Sequence, residues 1–194
     1  MRMKKKNRIR QRPSSVFVIA ALAAATMLAA APGLARADTF GVQLGGGFGE
    51  HDVNKLDLGL VWDPGINWWE MGGWHFSLVG EAHVDYWHPG NGTSRHDVYT
   101  FGVQPMVRFI KSAGAVRPFI EAGAGVRGLS RVTIKDGYSM GTAFQFTEIV
   151  GVGAQFGGHQ QYQAGFRFQH VSNAGIKEPN PGINFSQLYL QYNF

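Results

Sequence analysis

From about residue 40 to the C-terminus, apolar and polar positions alternate with a period of two, the repeat of extended chain with two unlike faces. The last segment shows this most plainly. Over residues 185–194, Leu188, Leu190, Tyr192 and Phe194 share one face, and Gln187, Tyr189, Gln191 and Asn193 share the other. Comparable segments, separated by Gly, Pro, Asn and Asp, predict strands near 40–49, 55–62, 74–87, 96–110, 116–129, 142–157, 160–172 and 184–194. Short turns are expected at 111–115 and 157–158, and longer loops at 63–73, 89–94, 131–139 and 173–182. No run after residue 37 is long and apolar enough for a membrane-spanning helix. Eight strands can close on themselves and leave no edge unpaired in lipid. The fold class expected is therefore all-β, an eight-stranded antiparallel transmembrane β-barrel of the outer-membrane type.

Such a barrel is filled by side chains and has no open pore. If Phe76, Leu78, Ala82, Val84 and Tyr86 face lipid, then Glu81, His83 and Asp85 point inward. The same parity sends Gln104, Arg108, Glu121, Arg127, Arg167 and Gln169 into the lumen. Their mixed signs predict an ion-paired, hydrogen-bonded plug in preference to a buried active site or channel. Trp62, Trp68, Trp69, Trp74 and Trp87 lie near strand ends and are assigned to aromatic girdles. Glu148 breaks the alternation and is expected inside the barrel or at a bulge.

The N-terminus reads differently. Seven Lys and Arg residues within the first twelve precede an apolar stretch, 16–31, which ends at the small-x-small pattern Ala35-Arg36-Ala37. Sixteen apolar residues are almost enough for an anchor helix, but alanine richness and the site that follows favour export with cleavage before Asp38. This gives a cleaved signal peptide over 1–37 and a barrel over 38–194. The charge changes accordingly. The full chain has 18 Lys and Arg against 13 Asp and Glu; 1–37 holds eight of the basic residues and no acid, so the remainder carries ten against thirteen. The basic balance thus belongs to the export signal and gives no support for nucleic acid as a partner. Cysteine is absent, which excludes disulfides and thiolate metal sites.

Most motifs for site chemistry are also missing. His83 and His88 are five apart and should face opposite ways, so no metal is expected. Gly45-Gly46-Gly47 has no helix after it and is no phosphate loop. Gly137-Tyr138-Ser139-Met140-Gly141 spells G-x-S-x-G, but no helix is expected after it, so the strand-to-helix elbow of α/β-hydrolases does not occur.

The polarity rule fails on segment 160–172. Tyr162, Ala164, Phe166 and Phe168 form its apolar face, and the same parity continues through His170 and Ser172. Two polar groups thus point toward lipid. On the closing strand the outward set runs back through Ser186 to Asn184, which antiparallel pairing would bring near them. Residues i and i+2 of a strand lie about 6.5–7 Å apart at Cα on one face. His170 could then act as general base to Ser172, with Asn184 orienting the imidazole. On spacing alone, a His and a Ser resting among headgroups fits as well, because H-x-S is a common string.

The surroundings add a more specific signal. His170-Val171-Ser172-Asn173-Ala174-Gly175, then Pro179-Asn180-Pro181-Gly182 and a closing strand, resembles the PagL family of lipid A 3-O-deacylases over roughly 166–194. A C-terminal Phe on the last strand likewise resembles the terminal signature of bacterial outer-membrane proteins. The family resemblance implies a bacterial outer-membrane serine esterase that removes the 3-O-linked acyl chain of lipid A, with no cofactor or metal. It implies Ser172 as nucleophile, His170 as base, and Asn173, Gly175 and Asn180 as oxyanion or site-shaping residues. It also implies lipid A of the outer leaflet as partner; a homodimer is compatible. One position departs from the family pattern: Asn184 stands where an acidic Glu is expected, and Glu178, the nearest carboxylate in sequence, is the candidate to substitute for that acid if the loop folds back. The competing functions are a phospholipase using the same residues, and a non-enzymatic small barrel for adhesion or envelope integrity. A calcium-dependent dimeric lipase is a third, disfavoured by the lack of an acidic calcium loop.

Overall fold

The computed structural model describes residues 39–194; the expected export signal lies outside the described residues. Eleven strands follow in chain order: β1 (Thr39–Gly49), β2 (Val53–Asp63), β3 (Asn67–Met71), β4 (Trp74–Pro89), β5 (Val98–Lys111), β6 (Val116–Leu129), β7 (Thr133–Lys135), β8 (Tyr138–Ser139), β9 (Phe144–Phe156), β10 (Tyr162–Ser172) and β11 (Ile183–Asn193). Eight of them, all but β3, β7 and β8, are the strands expected from the alternation. They run antiparallel, β1 pairs with β11, and β2 pairs with β4 to complete a closed barrel. One end of the barrel holds both ends of the described chain and is called the terminal end. The other carries the connections 50–52, 90–97, 130–143 and 173–182 and is called the loop end.

Two segments read as loops contain sheet. β3 pairs with β4 through Asn67↔Ser77 and Trp68↔Phe76. Stacking of Trp68 on Phe76 (5.8 Å) supports this short ribbon. Gly72 and Gly73 turn it with φ of +61° and +78°, a left-handed pair that suits a tight hairpin. At the loop end, β7 and β8 form a small hairpin. Buried Ile134, Tyr138 and Met140 pin it against the barrel mouth, an anchoring that alternation over so few residues does not reveal.

The barrel is polar inside and apolar outside. Leu56, Leu58, Leu60, Leu188 and Leu190 are exposed, whereas Lys55, Asp57, Glu81, His83, Asp85, Arg108, Glu121, Arg127 and Arg167 are buried. In water this arrangement would be upside down; against acyl chains it is the stable one. Arg167 donates to Glu121 Oε1 (2.6 Å) and Glu81 Oε1 (2.7 Å), and Arg108 adds bonds to Glu121 Oε2 (2.9 Å) and Glu81 Oε1 (3.1 Å). Above this layer, Lys55 faces Asp57 and Asp85, Arg127 pairs with Asp85, and His83 Nδ1 meets Asp57 Oδ1 at 2.9 Å. An apolar plug of Val53, Trp87, Val98, Leu129, Ile134, Tyr138, Met140, Val171, Ile183 and Phe185 closes the loop end.

Two assignments change. Trp87 is no girdle residue: it is fully buried and packs on Phe185 at 4.9 Å, because it shares the inward parity of Glu81, His83 and Asp85. Glu148 is neither inside nor at a bulge. Thr147 and Ile149 on either side are buried, so Glu148 keeps the outward parity of Phe146 and Val150 in an unbroken β9–β10 register.

Candidate active site

The inward residues at the top of β10 and β11 decide what the outward ones can do. Val171, Ile183 and Phe185 are fully buried in the apolar plug. With a side-chain period of two, their anchoring forces His170, Ser172 and Asn184 onto the outer wall. The register sets His170 opposite Asn184 on β11 and opposite Glu148 on β9. All three expected residues are therefore on one patch at the loop end. His170 Nδ1 lies 2.6 Å from Asn184 Oδ1, and its Nε2 makes no hydrogen bond among the described residues. The Ser172 hydroxyl makes no hydrogen bond to the ring among the described residues.

Asn173, Gly175 and Asn180 lie together in the loop that follows. Asn173 is fully buried, and its side chain donates to Lys177 O (2.8 Å) and Met140 O (3.0 Å) while accepting from Gly175 N (3.0 Å). Its backbone N–H donates to Asn180 Oδ1 at 2.9 Å. The N–H groups of Asn173 and Gly175 are thus engaged in shaping the loop. Asn180, having accepted through Oδ1, keeps its Nδ2 donor, and the Ala174 N–H between them has no partner among the described residues. Ala174 takes φ +53°, a left-handed conformation that turns the chain sharply after Ser172. Glu178 is exposed in this loop, where the Asn173–Lys177 bond ties down the preceding residue.

Three neighbours were not singled out from the sequence. Gly182 has φ +68°, and a Cβ there would stand 2.9 Å from His170 Cε1, so the absence of a side chain makes room for the imidazole. Tyr138 donates to Gly182 O at 2.6 Å and holds that turn in place. Burial, and secondarily the charge of Glu50, pushes the Tyr138 hydroxyl above its ordinary pKa, which keeps it a neutral donor. The carboxylates at the patch are Glu148, across the strand from His170, and Glu50, whose Oε2 accepts from Asn184 Nδ2 at 3.0 Å. A hydroxyl, an imidazole held through one nitrogen, and open N–H donors are the parts that acyl transfer needs.

Residues 54–193 match the model of the family described as Lipid A 3-O-deacylase (PagL). The chain is similar to the lipid A deacylase PagL of Pseudomonas aeruginosa, with 32% identity over 69% of this chain and 75% of the relative. It is similar also to the lipid A deacylase PagL of Bordetella bronchiseptica, with 33% identity over 86% of this chain and 90% of the relative. Among solved structures, the crystal structure of the outer membrane enzyme PagL matches with a TM-score of 0.70 and 27% identity, covering 78% of this chain and 98% of that one.

Proposed function

The chain belongs to the lipid A 3-O-deacylase family, outer-membrane enzymes that hydrolyse lipid A, and from that premise we propose that Ser172 is its nucleophile and His170 its general base. The observation that carries the proposal is the polar patch that continues the apolar outward faces of β10 and β11, with His170 Nδ1 held by Asn184 at 2.6 Å. Nothing about barrel stability calls for an imidazole, a hydroxyl and an amide on the lipid side. The same reading takes 1–37 as a cleaved export signal and puts the loop end outside the cell, at the headgroup–acyl boundary of the outer leaflet. The ester to be cut lies at that depth, so the substrate is reached without being extracted from the membrane.

Each step then has an assigned group. Ser172 Oγ attacks the 3-O-acyl carbonyl carbon as His170 Nε2 takes its proton. The carbonyl oxygen becomes an oxyanion, which the Ala174 N–H and Asn180 Nδ2 stabilise, while Asn173 and Gly175 hold the loop that presents them. Collapse expels the sugar 3-oxygen, which takes the proton back from His170. A water then attacks the acyl-serine with His170 again as base, releasing the fatty acid and restoring Ser172.

Two measurements test the assignment. A fluorophosphonate that titrates activated serines is expected to add to Ser172 in the wild type and at least 100-fold more slowly in His170→Gln, the scale of one general base. Labelling at another serine, or equal rates, would remove the pair. Gly182→Ala is expected to cut kcat on lipopolysaccharide at least tenfold in a folded barrel, since the new methyl meets the His170 ring. Unchanged kcat would mean that the ring does not work from this position.

A further inference from the structure

Resting on the Ser172–His170 reading, we infer that Glu50 is the acid of this site and acts through Asn184 as a positioning residue. The problem it solves is particular to an amide. The oxygen and nitrogen ends of an Asn side chain have almost the same shape but opposite hydrogen-bonding character. If Oδ1 faces His170, Nδ1 must carry the hydrogen and Nε2 is left as the basic nitrogen. If Nδ2 faces the ring, the hydrogen moves to Nε2 and the imidazole can no longer accept the Ser172 proton. A carboxylate in place of Asn184 would have no such ambiguity, because it only accepts.

Glu50 removes the ambiguity here. Its Oε2 accepts from Asn184 Nδ2 at 3.0 Å and from the Asn184 backbone N–H at 3.3 Å. An ionised carboxylate cannot donate, so it holds the NH2 end toward itself and the Oδ1 end toward His170 Nδ1.

The barrel presents Glu50 rigidly. It opens the 3-10 turn Glu50–Asp52 between β1 and β2, one residue beyond the Gly49↔Phe185 pair that closes the β1–β11 register. His51 and Asp52 both take φ of +57°, a conformation that non-glycine residues hold only when their surroundings impose it. Here Gly90 N donates to Asp52 O (2.7 Å), Asn91 Nδ2 to Asp52 Oδ2 (2.6 Å) and Lys135 Nζ to His51 O (2.6 Å). The ring of His51 also packs on Tyr138 at 4.1 Å. Glu148, the other carboxylate on the patch, makes no hydrogen bond to the ring, and its Oε2 is buried without a partner. It lies beside the imidazole but does not govern its tautomer.

The test is steady-state kinetics of the whole barrel on lipopolysaccharide, comparing the wild type with Glu50→Gln, Glu148→Gln, Ser172→Ala and the double variant Glu50→Gln/Asn184→Glu. Glu50 is exposed and Gln is isosteric, so folding is expected to be unaffected. Glu50→Gln should lower kcat by about 10- to 100-fold with KM within twofold, since Gln offers the amide a donor as readily as an acceptor. The double variant should recover most of that loss, because a carboxylate at 184 needs no partner to set the tautomer. A mere packing defect at the turn would not be repaired in this way. A kcat within twofold of wild type in Glu50→Gln, with Ser172→Ala inactive, overturns the inference and leaves the nucleophile standing. So does a larger loss in Glu148→Gln than in Glu50→Gln. Activity retained in Ser172→Ala removes the underlying reading instead.

Discussion

Replacement of Ser172 by alanine is expected to leave lipid A fully acylated in cells whose outer membrane contains the folded barrel. The hydroxyl is the only atom lost, and it makes no hydrogen bond that holds β10 in place, so stability should change by less than about 0.5 kcal/mol. Catalysis should fall much further. Loss of the nucleophile in a serine hydrolase costs about 10⁴- to 10⁶-fold, the residue of activity coming from binding and the oxyanion donors. Mass spectrometry of lipid A reads the difference directly. The wild type should remove the mass of one hydroxyacyl group, and Ser172→Ala should remove none. Deacylation by the variant at more than about 1% of the wild-type rate would exclude an acyl-Ser172 intermediate.

The second large effect concerns stability. Arg167→Met is expected to destabilise the barrel by about 3–5 kcal/mol, because removing one partner leaves buried charge without compensation. Arg167 is fully buried and binds both carboxylates, at 2.6 Å to Glu121 Oε1 and 2.7 Å to Glu81 Oε1. Without it, Arg108 is the one guanidinium left to both acids, with His83 still against Glu81 and the Tyr189 hydroxyl against Glu121. Denaturant unfolding in lipid vesicles should show a lower midpoint with an unchanged slope. In Arg167→Met/Glu81→Gln the loss should be smaller than the sum of the two single losses, since the pair shares one interaction. Strict additivity would mean that the network does not act as a unit.

Much of this was legible in the sequence, and parity is the reason. A period of two across the 156 described residues leaves few ways to assign faces, so the alternation alone places all eight barrel strands and the inward charges of the strands from 74 to 172. The same rule, applied consistently, would have put Trp87 inside with Asp85 and Glu148 outside with Phe146. Both departures came from setting parity aside, for aromatic character in one case and for charge in the other. The site divides similarly. His170, Ser172 and Asn184 follow from outward parity and one antiparallel pairing. Gly182 needed a three-dimensional neighbour, the imidazole, to acquire meaning. Glu50 is separated from Asn184 by 134 positions, and only closure of the first strand onto the last brings them together. No local pattern carries that information; the register of β1 on β11 does.

That seam also bears on when the enzyme is dangerous. A hydrolase of membrane lipid must cross the periplasm before reaching its place of work, and an active intermediate would meet the wrong ester first. Glu50 comes with the first strand and Asn184 with the last, so a chain whose two edges have not met has its acid far from its histidine. On the Glu50 proposal, barrel closure would thus do part of the work of a propeptide: a chain still crossing the envelope would lack the about 10- to 100-fold that Glu50 supplies until the cylinder is completed in the outer membrane.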